Sequence, residues 1–160
     1  MKLANVTLED LSLLTHEVKL PETAKFGVPA FKVISYHGEY RHGSAGEPDA
    51  CYIVATATAA HKAWYTDGIV IDFSDLAYEW GDNMEWVLGI GQGAPAKCAF
   101  PLVIIVGDRC REALGSLIAG EYAEFCVDSL DQAVRLLEAK RRTYEQCLED
   151  WRKRPIAGHG

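Results

Sequence analysis

Two histidines, His37 and His42, stand five positions apart in a glycine-bearing stretch, with Glu39 between them. Imidazoles and carboxylates are ligands for divalent metals, and Asp72 would complete such a set. The His-x4-His spacing falls in a predicted loop, where nothing fixes its geometry. Exposed histidines and helix-capping aspartates explain the same residues without a metal. The metal reading is therefore confined to His37, His42 and Asp72, and the sequence requires no cofactor.

Other chemistry has less support. Ser44 sits in Gly43-Ser44-Ala45-Gly46, which is not the strand-to-helix elbow of a serine nucleophile. The run Gly89-Ile90-Gly91-Gln92-Gly93 lacks the Lys-Ser/Thr ending of a phosphate loop and reads as a helix stop. The five cysteines (51, 98, 110, 126 and 147) form no C-x-x-C and are expected to be reduced, mostly buried thiols. Cys110 is the exception, because the first turn of a predicted helix would lower its pKa. His61, near the apolar face of a predicted helix, is expected to be hydrogen-bonded and partly buried.

Charge placement is the strongest anomaly. Of a net charge of −7, six units lie between Lys62 and Lys97, where Asp67, Asp72, Asp75, Glu79, Asp82 and Glu85 face no Lys or Arg. Tyr78, Trp80 and Trp86 are interleaved with them. Aromatic anchors ringed by carboxylates suit a basic protein partner. Asp75, Tyr78, Glu79, Trp80, Asp82, Asn83 and Trp86 are the candidate contact residues. The same acidity argues against nucleic acid, whose phosphates need a Lys/Arg surface. The last helix is locally basic, with Lys140-Arg141-Arg142 and Arg152-Lys153-Arg154. Basic helix and acidic middle together allow a homodimer.

The elements that position these residues alternate. A strand is predicted from Phe31 to Tyr36, then a loop from His37 to Glu47 and a helix from Pro48 to about Trp64. Residues 68–73 form a nearly continuous apolar run, the mark of a strand buried on both faces. A loop from Ser74 to Gly81 follows, and Asp82-Asn83-Met84-Glu85 has capping-box chemistry for a helix. Pro101 to Gly107 is a third strand, and Asp108 is placed to cap the next helix. Glu124 to Val127 is a short fourth strand. Ser129-Leu130-Asp131-Gln132 opens a long helix reaching about Arg154, with Leu130, Ala133, Val134, Leu137, Tyr144, Leu148 and Trp151 on its inner face. Residues 1–30 read as an N-terminal arm or helix starting at Thr7, broken by Pro21, Gly27 and Pro29. Residues 31–160 read as a single α/β domain with a mostly parallel sheet of four to five strands.

Three stretches resemble the STAS-type domain of bacterial anti-sigma-factor antagonists. Ile69-Val70-Ile71-Asp72-Phe73-Ser74-Asp75-Leu76 is similar to that family's central strand. Leu102 to Gly107 with Arg111-Glu112-Ala113-Leu114 resembles its next strand and helix. Phe125 to Ala133 resembles its last strand and the start of its final helix. The resemblance covers residues 31–139. It implies a regulatory, non-enzymatic protein-interaction domain. It also implies a switch serine in an Asp-Ser pair, where this chain has Trp80 and Gly81.

The leading expectation is thus an interaction domain presenting residues 75–86 to a basic protein. One alternative is an immunity protein masking a toxin. Another is a small enzyme or metal- and ligand-binding protein using the strand C-terminal edge. Met1 to Asn5 carries no apolar leader and no apolar run reaches bilayer length, so a cytoplasmic bacterial protein without membrane association is expected.

Overall fold

A computed structural model describes residues 1–22, 30–92 and 98–153. Its sheet has five strands in sequential order: β1 (Thr15–Lys19), β2 (Lys32–Glu39), β3 (Ile69–Ala77), β4 (Leu102–Val106) and β5 (Cys126–Val127). β1 is antiparallel to β2, and every other neighbouring pair is parallel. The helices are α1 (Glu47–Ala63), α2 (Arg111–Leu117), α3 (Tyr122–Phe125) and α4 (Leu130–Arg152). The expected mostly parallel α/β sheet with a long final helix is the observed architecture.

Sequential parallel strands joined by right-handed crossovers place every connecting element on one sheet face. The side chains divide accordingly. Ile69, Ile71 and Phe73 of β3 alternate toward α1, α2 and a 3-10 segment, Met84–Gly89. Val70 points the other way, with Val103 and Ile105, onto Ala133 and Leu137 of α4. α4 closes the second face because it follows the last strand.

Several elements differ from the sequence reading. The segment before residue 30 supplies the edge strand β1, and Leu8–Asp10 is only a 3-10 turn. Thr15–Lys19 is short and polar on its outer face, so periodicity gives it little signal. β3 runs four residues past Phe73, and its register with β2 shifts between Ser35 and His37. An extra residue there carries Ser74 and Asp75 into the strand as exposed positions. Glu124 and Phe125 belong to α3, leaving β5 two residues. The expected helix at Asp82–Glu85 is the six-residue 3-10 segment, entered through Asn83 in the left-handed region (φ 69°) with no side-chain cap. Asp108 does not cap α2: its carboxylate is exposed and pairs with Arg111 at 3.5 Å.

α4 ends at Arg152, and Arg154 lies outside the described residues, as do Gly27, Pro29, Gly93 and Pro95. Ser129 caps it, accepting from the Gln132 N–H at 3.3 Å. Of its expected inner face only Ala133 and Leu137 are buried, while Leu130 and Trp151 are half exposed. At 1.5 Å per residue the helix is roughly 35 Å long, about twice the length of β4.

The cysteines also correct the sequence reading. Cys98 and Cys147 form a disulfide that ties α4 to the segment entering β4. Cys110 is buried, and burial pushes its thiol up rather than down. His61 packs edge-on against Phe100 at 4.9 Å, and among the described residues its buried Nδ1 has no hydrogen-bond partner.

Candidate functional site

The acidic and aromatic stretch follows the C-terminal end of β3, the sheet edge where α/β folds commonly bind. Tyr40, just beyond β2, organises it. The Tyr40 N–H donates to the Ala77 carbonyl at 2.9 Å, and its hydroxyl donates to the Asp82 carbonyl at 2.6 Å. The Asp82 N–H in turn donates to the Gly43 carbonyl at 3.1 Å. Two loops from distant parts of the chain, 41–46 and 78–83, are thereby fastened together.

Glycines make the fit possible. A Cβ on Gly46 would lie 2.3 Å from Tyr40 Cε1, and one on Gly81 would lie 2.7 Å from both that atom and the Arg41 carbonyl oxygen. Gly43, in the left-handed region at φ 56°, lies under the Trp80 ring. His42 stacks on the same indole, with ring centroids 5.5 Å apart and planes 17° apart. Trp80 nevertheless leaves 59% of its surface exposed. A large apolar ring is backed by Gly43 and His42 and offered to solvent.

The candidate residues separate by position. Glu79, Trp80, Asp82 and Trp86 are exposed, Trp86 at 43%. Asn83 is half-buried and shapes the backbone. Tyr78 points inward at 4% exposure, edge-on to Tyr40, with its hydroxyl donating to the Gly81 carbonyl. It supports the loop and offers no contact surface. Asp75 lies away from this group, on β3, where it pairs with His37 at 3.3 Å.

The histidines do not converge. His42 Nε2 faces Glu79 at 3.4 Å, His37 faces Asp75, and Asp72 accepts from Ser35 and from the Ser74 N–H. Among the described residues no three His, Cys, Asp or Glu side chains are grouped to hold a metal.

Beside Trp80 lies an open cleft of about 650 Å³, walled by Leu13, Glu39, Arg41, His42, Glu79 and Arg109. Its two arginines are engaged. Arg109 pairs with Glu39 at 3.1 Å, and Arg41 forks onto Asp49. Sequence inspection missed Tyr40, the Gly43–Trp80–His42 stack and Arg41. The clustering of Gly43, Gly46 and Gly81 was the available signal, but contact across some forty residues left no local pattern.

Among solved structures, the chain is similar to an anti-sigma factor antagonist from Mycobacterium paratuberculosis, with a TM-score of 0.56 and 16% identity, covering 78% of this chain and 94% of that one. The fold is STAS-like. No protein-family model matches the chain, and no curated protein sequence matches it.

In the sequence reading, Trp80 and Gly81 stand where the STAS resemblance implies an Asp-Ser pair. Here the second of those positions has no space for a side chain, because Tyr40 and the Arg41 carbonyl fill it. Gly81→Ser is therefore expected to destabilise the protein by about 1–3 kcal/mol, since overpacking against backbone must displace a loop. Urea denaturation would show this as a lower midpoint at unchanged slope. An unchanged midpoint would mean that the loop accepts a hydroxyl there.

Proposed function

We propose that this chain is a non-enzymatic regulatory domain that binds a protein with a basic surface through the Trp80 platform. The observation that carries the reading is the exposed Trp80 ring, backed by His42 and Gly43, with Glu79, Asp82 and Glu85 exposed on the same short stretch. Rigid aromatic anchors surrounded by charge are typical binding hot spots, because little conformational entropy is lost when they are covered. Carboxylates around the anchor speed encounter with a cationic partner. Trp80, Glu79, Asp82 and Trp86 form the proposed contact surface. Tyr78 and Asn83 are its supports, and Asp75 is a peripheral charge.

The likeness to an anti-sigma factor antagonist supports a regulatory role for the chain. An immunity protein would use the same acidic face, and the identity of the captured partner separates the two. Among the described residues no helix is long and apolar enough to cross a membrane. A cytoplasmic site of action must accommodate the Cys98–Cys147 disulfide, a bond that reducing compartments ordinarily break.

The test is affinity capture on the immobilised full chain from its native extract, with partners identified and then remeasured in purified form. Trp80→Ala and Asp82→Lys are each expected to weaken binding by roughly 30-fold or more, the loss of a hot spot of at least about 2 kcal/mol. Both side chains are exposed, so thermal unfolding should stay within a few degrees of wild type. Binding should also weaken as salt rises. Partners retained in full by both variants would sink the reading.

A further inference from the structure

A second cavity, of about 490 Å³, lies at the opposite end of the sheet from Trp80. It is walled by the last turns of α1, the segment entering β4 and the middle of α4. β3 alone, at nine residues, puts roughly 30 Å between the two ends. The cavity lies within the range of roughly 300–1,000 Å³ typical of small-molecule sites.

We propose that this cavity binds a planar aromatic monocarboxylate. This site is independent of the protein-docking surface. Its walls are aromatic. Phe100 stands edge-on to His61 at 4.9 Å and to Tyr144 at 5.8 Å, and Tyr65 lies exposed at the rim. These rings pack edge-to-face on one another and line the cavity, where they offer a ligand ring stacked and edge-to-face contacts.

Its polar groups are incompletely used. Arg141 gives one Nη to Asp67 at 2.8 Å, with Glu145 at 3.9 Å from the same nitrogen, but among the described residues its buried Nε has no hydrogen-bond partner. His61 Nδ1 on the same wall is also buried and unpaired. Buried polar atoms are ordinarily paired, so two unpaired atoms beside one cavity point to a missing partner. Lys62, exposed on the same wall, forms no ion pair with the described residues. A carboxylate accepts from Lys62 and Arg141 while its ring lies against these aromatic walls. Burial and the nearby positive charges of Lys32 and Lys62 push the His61 imidazole down, which favours its neutral form.

Charge selects the class further. Asp67 and Glu145 border the same space, so one negative charge is better accommodated than the two of a phosphate monoester. The walls are also fixed in place. The Cys98–Cys147 disulfide joins the segment carrying Phe100 to α4. Gly91, at φ 78°, lets the backbone press against the Phe100 ring, where a Cβ would come within 2.5 Å. A preformed cavity avoids the ordering cost of ligand-induced closure.

Calorimetric titration of the full chain with benzoate and with 2-naphthoate tests the proposal. Benzamide, 2-naphthamide and acetate are the comparisons. At least one aromatic carboxylate is expected to bind saturably at one site, about tenfold or more tighter than its amide and than acetate. Lys62→Ala and Tyr65→Ala alter exposed side chains and leave folding intact. Each is expected to weaken binding about five- to tenfold. Trp80→Ala should leave it unchanged, which keeps this result separate from the docking surface. The proposal is overturned if neither carboxylate binds, if amide or acetate binds equally well, if both cavity variants bind as wild type, or if Trp80→Ala abolishes binding.

Discussion

Lys32→Met is expected to cost about 2–3 kcal/mol of stability, although the substitution preserves most of the side chain's volume. Lys32 opens β2 and points under the end of α1, with no exposed surface. Its ammonium donates to the carbonyls of Ala60 at 3.2 Å, His61 at 3.5 Å and Trp64. These belong to the last turn of α1 and its cap, where the backbone otherwise lacks donors and the dipole favours a cation. Methionine keeps the packing and removes every donor. Buried carbonyls left without a partner cost roughly 1–3 kcal/mol, partly offset by no longer burying a charge. Guanidinium denaturation measures the loss, and a variant as stable as wild type would show that water reaches those carbonyls.

The same lysine carries a pH signature. Burial lowers its folded pKa from 10.5 to about 8. Between those values the unfolded chain holds a proton that the folded chain has released. Stability from this group therefore rises with pH across that window. The neutral amine still donates two hydrogen bonds. The stability gap between wild type and Lys32→Met should thus widen from pH 8 to 10.5 and be smallest below pH 8.

Lys32 also shows why part of the fold was legible and part was not. Buried parallel strands announce themselves as apolar runs, so residues 69–73 and 102–106 were readable, as was the Ser129 cap of α4. The strand over residues 31–36 was readable too, but not that its Lys32 turns inward. That placement depends on carbonyls nearly thirty residues away, which no local pattern encodes. β1 was hidden because an edge strand shows water on one face and needs only His16 and Val18 for packing. The site was half legible. Charge and aromatic content singled out residues 75–86, but local sequence could not show that Tyr78 turns inward while Trp80 turns out. That sorting depends on Tyr40, which fills the space between the loops.

Asp49→Ala is expected to cost about 3 kcal/mol and to loosen both the N-terminal segment and the loop beneath Trp80. Asp49, in the first turn of α1, is 1% exposed. Its carboxylate accepts from Arg41 Nε at 2.9 Å, Arg41 Nη2 at 2.7 Å, the Arg41 backbone N–H at 2.8 Å and the Ser12 hydroxyl. Arg41 also donates to the Leu11 carbonyl at 2.6 Å, and the Leu14 N–H donates to Ser12. One carboxylate thus joins residues 11–14, the end of β2 and α1. Removing a buried partner of this kind typically costs about 3–5 kcal/mol; the lower end applies because Arg41 is partly exposed and recovers hydration.

Burial alone pushes the Asp49 carboxyl up, but its hydrogen bonds and the Arg41 charge outweigh that and hold it below its ordinary 3.8. A depressed folded pKa gives stability that is full above the unfolded value and lost as pH falls through the folded one. Wild type should therefore lose stability on acidification below about pH 4, while Asp49→Ala loses less over the same range. Limited proteolysis near neutral pH offers a local readout. Cleavage before Thr15 should accelerate in Asp49→Ala if the network anchors that segment. Because His42 and Gly43 directly follow Arg41, the variant should also increase the mobility of the Trp80 ring, read as lower fluorescence anisotropy in a background where Trp80 is the sole tryptophan. Unchanged cleavage and unchanged anisotropy would show that Tyr40 and the glycines fix the platform without Asp49.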